Sequence, residues 1–318
     1  MNGVQNKVCG RGLIDYLRLL RVHHYIKNGL VFIPGFFSFS LFERRAAAAF
    51  CLGFVIFSLL SSVVYIINDI KDIEKDRFHG TKRLRPLASG KIPAHHAVVV
   101  IILLVLILIL LIVKLKNTAE NIKFHALTGL LAAYLALNIG YSFGLKNIPI
   151  VDIIILASGY VIRVLFGAAI IGVGISVWLY LVITVGSCYL GLGKRRNEIT
   201  GTNNGYETRP VMKFYSHNFL DKNMYMCQAL CIVFYALWSI DTVTLQKLHT
   251  DAFVYTIPLV LVILLKYSLN IETNSDGDPT SVILNDKLLL ALCVLYMTVS
   301  FFIVYMNRPG IMNIKEII

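Results

Sequence analysis

Three aspartates directly follow an apolar stretch in the segment NDIKDIEKD, which runs from Asn68 to Asp76. Asp69, Asp72 and Asp76 are three and four residues apart, which places them within roughly 60° of one another on an α-helix. Like charges at such a spacing repel one another unless a cation lies between them. Carboxylate oxygens suit Mg²⁺, which often binds one or two carboxylates together with substrate phosphates. The spacing therefore predicts a catalytic magnesium site for a phosphorylated substrate.

An ordinary solvated helix end is the alternative interpretation of these aspartates. Charged residues are common where a helix leaves a membrane, and Asp and Glu there pair with nearby Lys and Arg. The surroundings favour the metal site, because the aspartates follow an apolar span and lead into the basic segment KRLRPLASGKI.

The elements that position this segment are predicted to be membrane helices. Of the 318 residues, 57% are apolar and 15% are charged, and the mean hydropathy is +0.71. Several apolar stretches approach the ~20 residues that a bilayer-spanning helix needs. The sequence predicts an all-α, polytopic membrane protein with one domain over 1–318 and about nine spans, near 28–42, 46–68, 96–113, 124–142, 148–172, 176–193, 224–241, 252–270 and 288–306.

Basic residues predict the orientation of these spans, since Lys and Arg accumulate on the cytoplasmic side of a membrane. With the N-terminus inside, 21 of the 30 Lys and Arg residues fall on that side, in segments 1–27, 69–94, 143–147, 194–222 and 266–287. The net charge of +12 then reflects topology and anionic lipid heads, and nucleic acid is not expected as a partner. We expect a cell (inner or plasma) membrane protein whose loops 69–94 and 194–222 carry catalysis at the cytoplasmic face.

The N-terminal segment 1–27 is predicted to lie at the membrane surface. Leu13, Leu17, Leu20 and His24 recur at helical spacing, as in an interfacial helix. The segment has no compact apolar region that ends in a small-residue cleavage site, so no removable signal peptide is expected.

Other polar residues show weaker patterns. No HExxH spacing occurs, so structural roles at the interface are expected for the histidines His23, His24, His79, His95 and His96. In SDGDPT, Asp276 and Asp278 offer further metal ligands, but Asp in a Gly-Pro turn commonly makes local hydrogen bonds. The turn is the interpretation that we favour.

The motifs resemble those of the UbiA prenyltransferase superfamily. NDIKDIEKD is similar to its first aspartate-rich motif, NDxxDxxxD, and LRPLASGKI is similar to the loop that follows it. The resemblance covers nearly the whole chain, and it is most specific to one branch, the decaprenyl-phosphate phosphoribosyltransferases. In VHHYIKN, which resembles a motif of that branch, Tyr25 replaces the usual Trp. Four further segments also resemble this branch: YSFGLKNIPIVDIIILASGYVIRVLFGA, LGKRRNEI, RPVMKFYSHNFLD and GDPTSVILND. It implies a UbiA-like bundle around a cytoplasm-facing cavity.

One departure from the superfamily replaces a negatively charged motif with a positively charged one. Superfamily enzymes that prenylate aromatic rings carry a second aspartate-rich motif after the sixth span, whereas this chain has GKRRNE there. Three carboxylates with two Mg²⁺ sum to about +1, but each phosphate monoester of a substrate brings about −1.5 to −2. Additional cations are therefore needed, and Arg can bind phosphate in a bidentate manner. The charges and the motifs together predict these substrate-binding residues: Lys27, Asn28, Asn68, Lys82, Arg83, Arg85, Tyr141, Lys146, Arg163, Lys194, Arg195 and Arg196.

Arg163 is a special case, because it falls within the fifth predicted span. An arginine inside a membrane is costly, and it usually faces a partner or a wet cavity. Asp152, three helical turns earlier, is one partner, and a substrate phosphate is the other. Both alternatives remain open at this point.

The resemblance implies a Mg²⁺-dependent transfer of 5-phosphoribose from phosphoribosyl diphosphate to a polyprenyl phosphate, for a cell-envelope polysaccharide precursor. A phosphate nucleophile is already ionised near neutral pH, so no strong general base is needed. The first rival is a UbiA-type prenyltransferase that uses a prenyl diphosphate and an aromatic or other acceptor, although the missing second aspartate motif argues against it. The second rival is a non-enzymatic polyprenyl-phosphate carrier. The expectations also allow for a homo-oligomer.

Overall fold

The computed structural model describes residues 12–78, 80, 82–202, 210–273 and 278–306. Within these residues all regular structure is helical. The α-helices are α1 Leu13–Leu20, α2 Ile33–Phe37, α3 Arg44–Lys71, α4 Ile73–Phe78, α5 Ala94–Thr118, α6 Phe124–Ser142, α7 Val151–Ile170, α8 Val177–Thr202, α9 His217–Ile240, α10 Thr242–Leu248, α11 Ile257–Thr273, α12 Pro279–Asn285 and α13 Lys287–Met306. The 3-10 helices are Val22–Phe32, Ser40–Phe42, Lys82–Leu84, Leu145–Asn147, Pro210–Phe214 and Ala252–Thr256.

Eight helices in the described ranges are long and apolar enough to cross a membrane. They are α3, α5, α6, α7, α8, α9, α11 with the 3-10 turn before it, and α13. Each corresponds to one of the predicted spans, so the protein is a multi-pass membrane protein. The boundaries agree to within several residues, which is the accuracy that apolar runs allow.

The first predicted span, 28–42, is not one of these eight helices. The chain instead forms the 3-10 helix Val22–Phe32 and then the five-residue α2. This segment packs tightly on α7, where a Cβ atom at Gly167 would lie 2.1 Å from the carbonyl oxygen of Val31. Only glycine allows that approach. The structure does not confirm the predicted count of nine.

The loops between successive helices lie alternately at the two ends of the bundle. At one end, Arg21, just before the Val22–Phe32 helix, contacts Asp69 near the end of α3, and Lys27 within that helix contacts Asp278, just before α12. At the other end, the backbone N–H of Lys123 donates to the carbonyl of Ala169 at 2.9 Å. We call the end where α3 finishes and α7 begins the site face, because the predicted aspartates and most of the predicted cations lie there.

Two large apolar cores share helix α7. The first core joins α3, α5, α6 and α7, with Phe57 and Phe166 fully buried at its centre. The second core includes α8, α9, α11 and α13, and it contacts Ile153 near the start of α7. Helix α7 is therefore the common wall between the two halves, which explains why most of its side chains are buried. Its polar residues face partners from both halves.

Helix α1 agrees in part with the predicted interfacial segment. Leu13 and Leu17 are 77% and 46% exposed, whereas Leu19 is buried against the first core. The helix ends at Arg21, whose backbone is left-handed with φ 53°. The predicted stripe is wrong at His24, because this left-handed residue ends α1 and places His24 on the next helix. Residues 1–11 and His79 lie outside the described residues.

Candidate functional site

Two of the three predicted aspartates converge on one guanidinium group. Asp69 lies near the end of α3 and Asp76 lies in α4, and both are buried. Arg85 Nη1 is 3.1 Å from Asp69 Oδ1 and 2.6 Å from Asp76 Oδ2, so these two oxygens are at most about 5.7 Å apart. Arg21 Nη2 also contacts Asp69, at 2.5 Å. We call Asp69, Asp76, Arg21 and Arg85 the carboxylate cluster.

Asp72, the third aspartate, is held by a different cation. It is the C-terminal cap of α3, between that helix and α4. Lys146 Nζ donates to its two carboxylate oxygens at 2.9 and 2.7 Å. The described residues contain no group of three or more His, Cys, Asp or Glu placed to hold one metal ion. The structure thus brings Asp69 and Asp76 together and holds Asp72 on a separate lysine.

Asn68 fixes the position of the carboxylate cluster on its membrane side. Its Oδ1 accepts a hydrogen bond from Ser142 Oγ at 3.1 Å, which ties the end of α3 to the end of α6. Because Asn68 directly precedes Asp69, this bond restrains the backbone that carries the first carboxylate.

A second polar region joins the Val22–Phe32 helix to α12. Lys27 Nζ lies 2.5 Å from Asp278 Oδ1, and His24 Nδ1 lies 3.8 Å from Asp278 Oδ2. Asp278 lies directly before α12 and does not cap it with its side chain; residues 274–277 of the predicted turn lie outside the described residues, so the local turn stays a prediction. Lys194, from α8, also acts on Asp278 electrostatically. We call His24, Lys27, Lys194 and Asp278 the lysine cluster; the predicted Asp276 lies outside the described residues.

Burial and neighbouring charges set the protonation of this cluster. Burial alone would raise the pKa of Asp278, but Lys27 and Lys194 outweigh it and hold that pKa below its usual range. Burial lowers the pKa of His24 to about 3, and Lys27 acts in the same direction. At neutral pH the carboxyl group is therefore charged and the imidazole is neutral.

Arg195 is fully buried at the centre of a polar network. Its Nε donates to Asp152 Oδ2 at 2.6 Å, its Nη1 to Glu198 Oε2 at 2.7 Å, and its Nη2 to the Tyr141 hydroxyl at 3.0 Å. Tyr215 donates to the other oxygen of Asp152 at 2.6 Å, and burial together with this bond raises the pKa of Tyr215 to about 12. Two predicted substrate-binding residues, Arg195 and Tyr141, thus bind each other and α7.

The predicted alternative of an Arg163–Asp152 ion pair is wrong, since Asp152 binds Arg195 instead. Arg163 is 5% exposed and donates to Asn28 Oδ1 at 2.7 Å, to the Gly159 carbonyl at 2.5 Å and to the Tyr134 hydroxyl at 3.3 Å. Its guanidinium also lies over aromatic rings of α3, α6 and α7. Among the described residues these partners are all neutral.

Asn28 links Arg163 to the lysine cluster. It is fully buried, accepts from Arg163 and donates to Ser58 Oγ at 3.0 Å. These bonds fix the backbone next to Lys27, so Asn28 positions its neighbour, and the substrate contact at Asn28 stays a prediction.

The remaining predicted cations differ in their exposure. Arg196 Nε contacts Asp221 Oδ1 at 3.0 Å. Arg83 is exposed and Lys82 is half-buried, on the 3-10 turn that precedes Arg85. Lys194 is half-buried, yet it forms no ion pair with any residue in the described part of the chain.

Sequence reasoning missed three members of these clusters. The sequence pattern places Arg21 and His24 in the predicted surface segment 1–27 and Asp278 in a turn. Asp278 did carry a signal, because GDPTSVILND is one of the family-like motifs. His24 carries a similar signal in VHHYIKN, whereas Arg21 carries none, because its contact arises from the left-handed turn after α1 and from the packing of distant helices.

Two surface depressions lie away from these clusters. One, of about 500 Å³, is lined by α6, the end of α7 and the residues after it. The other, of about 460 Å³, lies between α9 and α11. Neither is lined by a residue of the carboxylate or lysine cluster, so neither is the predicted substrate cavity.

Known proteins resemble this chain along most of its length. Residues 31–289 match the UbiA prenyltransferase family. A decaprenyl-phosphate phosphoribosyltransferase of Corynebacterium glutamicum is 31% identical over 300 residues, which cover 91% of this chain and 86% of that protein. A protein of the same name from Mycolicibacterium smegmatis is 30% identical over 253 residues, 77% of each chain.

A solved structure supports the fold. The structure of a UbiA homolog from Archaeoglobus fulgidus bound to GPP and Mg²⁺ superposes with a TM-score of 0.64 at 19% identity, covering 91% of this chain and 99% of that one. The match over residues 31–289 and the 31% identity to the Corynebacterium glutamicum protein show that the chain belongs to the UbiA prenyltransferase family.

Proposed function

We propose that this protein transfers the 5-phosphoribosyl group of phosphoribosyl diphosphate to a polyprenyl phosphate, such as decaprenyl phosphate, and releases diphosphate. Relatives that match most of the chain are named decaprenyl-phosphate phosphoribosyltransferases, which supports a transferase of this type. Both substrates are anions, and the site face presents buried and half-buried cations from several helices.

The observation that carries the proposal is the environment of Lys194. Of the three basic residues in GKRRNE, Arg195 is enclosed by carboxylates and a tyrosine, and Arg196 contacts Asp221. Lys194 has no ion pair with a described residue and lies near Lys27 and Asp278. A cation in this position favours a phosphate ligand rather than the metal ion that a carboxylate would hold.

The carboxylate cluster has a donor set that fits Mg²⁺. Asp69 and Asp76 are buried, and their oxygens approach one shared guanidinium nitrogen. Two carboxylates with substrate phosphates are a common ligand set for this ion. When bound, Mg²⁺ would neutralise charge that develops on the leaving diphosphate. Asp72, on Lys146, is the weaker candidate for a ligand.

The transfer exchanges one bond at the anomeric carbon for another. The bond from ribose C1 to the diphosphate oxygen breaks, the electron pair leaves with diphosphate, and an oxygen of the lipid phosphate bonds to C1. Arg21 and Arg85 are placed to hold the diphosphate, and Lys194, which has no ion pair with a described residue, is placed to hold the lipid phosphate. The lipid phosphate is already an anion, so the described residues need to orient it rather than deprotonate it.

The orientation and the biological role follow from the same proposal. The site face carries most of the basic residues, so we place it in the cytoplasm and the protein in the cell membrane. Soluble phosphoribosyl diphosphate would then reach the site from the cytoplasm, and the lipid would reach it from the bilayer. The product would serve as a precursor of a cell-envelope polysaccharide. The proposal also allows for a homo-oligomer.

Product analysis tests the proposal. Purified protein in detergent with Mg²⁺ receives radiolabelled phosphoribosyl diphosphate and polyprenyl phosphate, and we expect label in the lipid phase with equimolar release of diphosphate. A parallel reaction contains farnesyl diphosphate and an aromatic acid. Prenylation of the acid without labelling of the lipid would support a prenyltransferase instead, and transfer in neither reaction would favour a carrier.

A further inference from the structure

His24 has a buried polar atom that the proposed reaction does not yet use. Its Nδ1 is shielded from solvent and makes no hydrogen bond with any described residue. Burial also keeps the ring neutral, with a pKa of about 3. A buried ring nitrogen without a partner costs free energy, which a ligand can recover by hydrogen bonding to it.

The surroundings of this nitrogen select the kind of ligand. The carboxylate oxygen Oδ2 of Asp278 lies 3.8 Å from this nitrogen. A phosphate oxygen next to this carboxylate would be repelled. A hydroxyl group donates to a carboxylate, and it bonds to a neutral imidazole nitrogen in either tautomer, because a hydroxyl both donates and accepts. The pair therefore suits a hydroxyl group.

The position of the pair places it beside the carboxylate cluster. The His24 ring packs on Tyr65, with ring centroids 5.4 Å apart. Arg21 lies over the same tyrosine ring, 4.9 Å from its centroid, and contacts Asp69. His24 and the arginine proposed to hold diphosphate thus contact the same aromatic ring.

We propose that His24 and Asp278 form a subsite for the 2- and 3-hydroxyl groups of the ribose donor. This inference rests on the proposed function. The polyprenyl phosphate has only a hydrocarbon chain and a phosphate, so the sugar is the substrate that can supply hydroxyls. Lys27 orients Asp278 through its other oxygen, and Lys194 balances the carboxylate charge, so the subsite remains an acceptor within a basic region.

Donor analogues test the subsite. The value of kcat/KM is measured with phosphoribosyl diphosphate and with its 2-deoxy and 3-deoxy analogues, at saturating polyprenyl phosphate and Mg²⁺. We expect the wild-type protein to prefer the ribosyl donor over the 3-deoxy analogue by about 100-fold or more, since a polar site rejects a ligand that leaves it unpaired. The 3-deoxy analogue is the stricter comparison, because its missing group lies farther from the reacting carbon.

Variants assign that preference to His24. His24→Leu should lower the preference by about tenfold. This change should come from a lower kcat/KM for the ribosyl donor, and the kcat/KM for the 3-deoxy analogue should not rise. His24→Gln retains a hydrogen-bonding group and should recover part of the preference. The control is His95→Leu, at an exposed histidine on α5, which should leave the preference unchanged.

Two results would overturn the inference while the proposed function stands. One is equal use of the ribosyl and 3-deoxy donors by the wild-type protein, a result that does not depend on the folding of any variant. The other is an unchanged preference in both folded His24 variants. Failure of the wild-type protein to use phosphoribosyl diphosphate at all would instead reject the proposed function, and this inference with it.

Discussion

The two buried arginines of this bundle have opposite surroundings. Arg195, on α8, is enclosed by Asp152 and Glu198. Arg163, deeper along α7, has an asparagine, a backbone carbonyl, a tyrosine and aromatic rings as its described partners. The first charge is neutralised within the protein. The second adds positive potential to the interior, where the low dielectric constant preserves it.

This difference shows that an arginine cannot be identified as phosphate-binding from its residue type alone, because its neighbours decide whether its charge is available. Both residues were predicted to bind substrate, yet the neighbours of Arg195 leave none of its surface accessible. Arg163 also has little exposed surface, but its bond to Asn28 holds the helix that presents Lys27. We infer that Arg195 stabilises the fold and that Arg163 supports the lysine cluster.

The largest expected effect is on stability, at Asp152. Asp152→Asn leaves Arg195 buried with a weaker partner, and loss of one member of a buried ion pair typically costs ~3–5 kcal/mol. We expect a large fall in the thermal unfolding temperature in detergent. The matched control is Asp221→Asn, which removes the more exposed contact to Arg196 and should cost about 1 kcal/mol or less. Equal unfolding temperatures for the two variants would contradict the distinction.

A smaller loss of stability is expected at Arg163. Arg163→Met removes a charge whose described partners are neutral, so no buried carboxylate is left uncompensated. Lost hydrogen bonds should cost ~1.5–3 kcal/mol, less than Arg195→Met, which strands Asp152. Transfer by folded Arg163→Met should nevertheless fall, because Lys27 loses its support. The comparison fails if Arg163→Met unfolds as easily as Arg195→Met.

Lys194 should affect substrate binding more than stability. Lys194→Met is expected to raise the KM of the donor or the lipid phosphate about tenfold, equivalent to ~1.4 kcal/mol, with little change in unfolding temperature. Lys222→Met, at an exposed lysine on α9, is the control for a general loss of positive charge. Equal KM changes in both variants would mean that Lys194 affects binding only through the overall positive charge, and not through a direct contact with substrate.

The smallest expected effect is a dependence of stability on pH. His24 remains neutral in the fold down to about pH 3, but it becomes protonated near pH 6.5 when unfolded, so the unfolded state binds more protons in this window. Stability should therefore fall as the pH drops below about 6.5. His24→Leu should reduce that slope, and His95→Leu, at an exposed histidine on α5, should not. Identical slopes in all three proteins would contradict the burial of His24.

Protonation of Asp278 should cause a second fall in stability, at lower pH. Its pKa is depressed in the fold, so its stabilising contact with Lys27 is complete above the ordinary Asp pKa of about 3.9 and is lost as the pH falls through the folded value.

Local patterns explain which features the sequence could predict. Long apolar runs identify helices such as α5 and α13 without any knowledge of their neighbours, and the spacing of Asp69 and Asp76 indicates a shared site. The partners of Asp152 and Asp278 come from residues 43 and 251 positions away in the chain, and pairing at such distances depends on how the helices pack. The same limit applies to Arg21, whose contact with Asp69 follows from one left-handed residue.

The most direct test of the account is Mg²⁺-dependent release of diphosphate by the wild-type protein and Asp76→Asn, assayed with phosphoribosyl diphosphate and polyprenyl phosphate. The account predicts release that stops on chelation of divalent cations and returns with Mg²⁺. In Asp76→Asn, release should fall about 100-fold or more, because metal stabilisation of the leaving group is worth several kcal/mol, while the variant stays folded because Arg85 keeps its contact with Asp69. Near-normal release by the folded variant, or by chelated wild-type protein, would contradict the account.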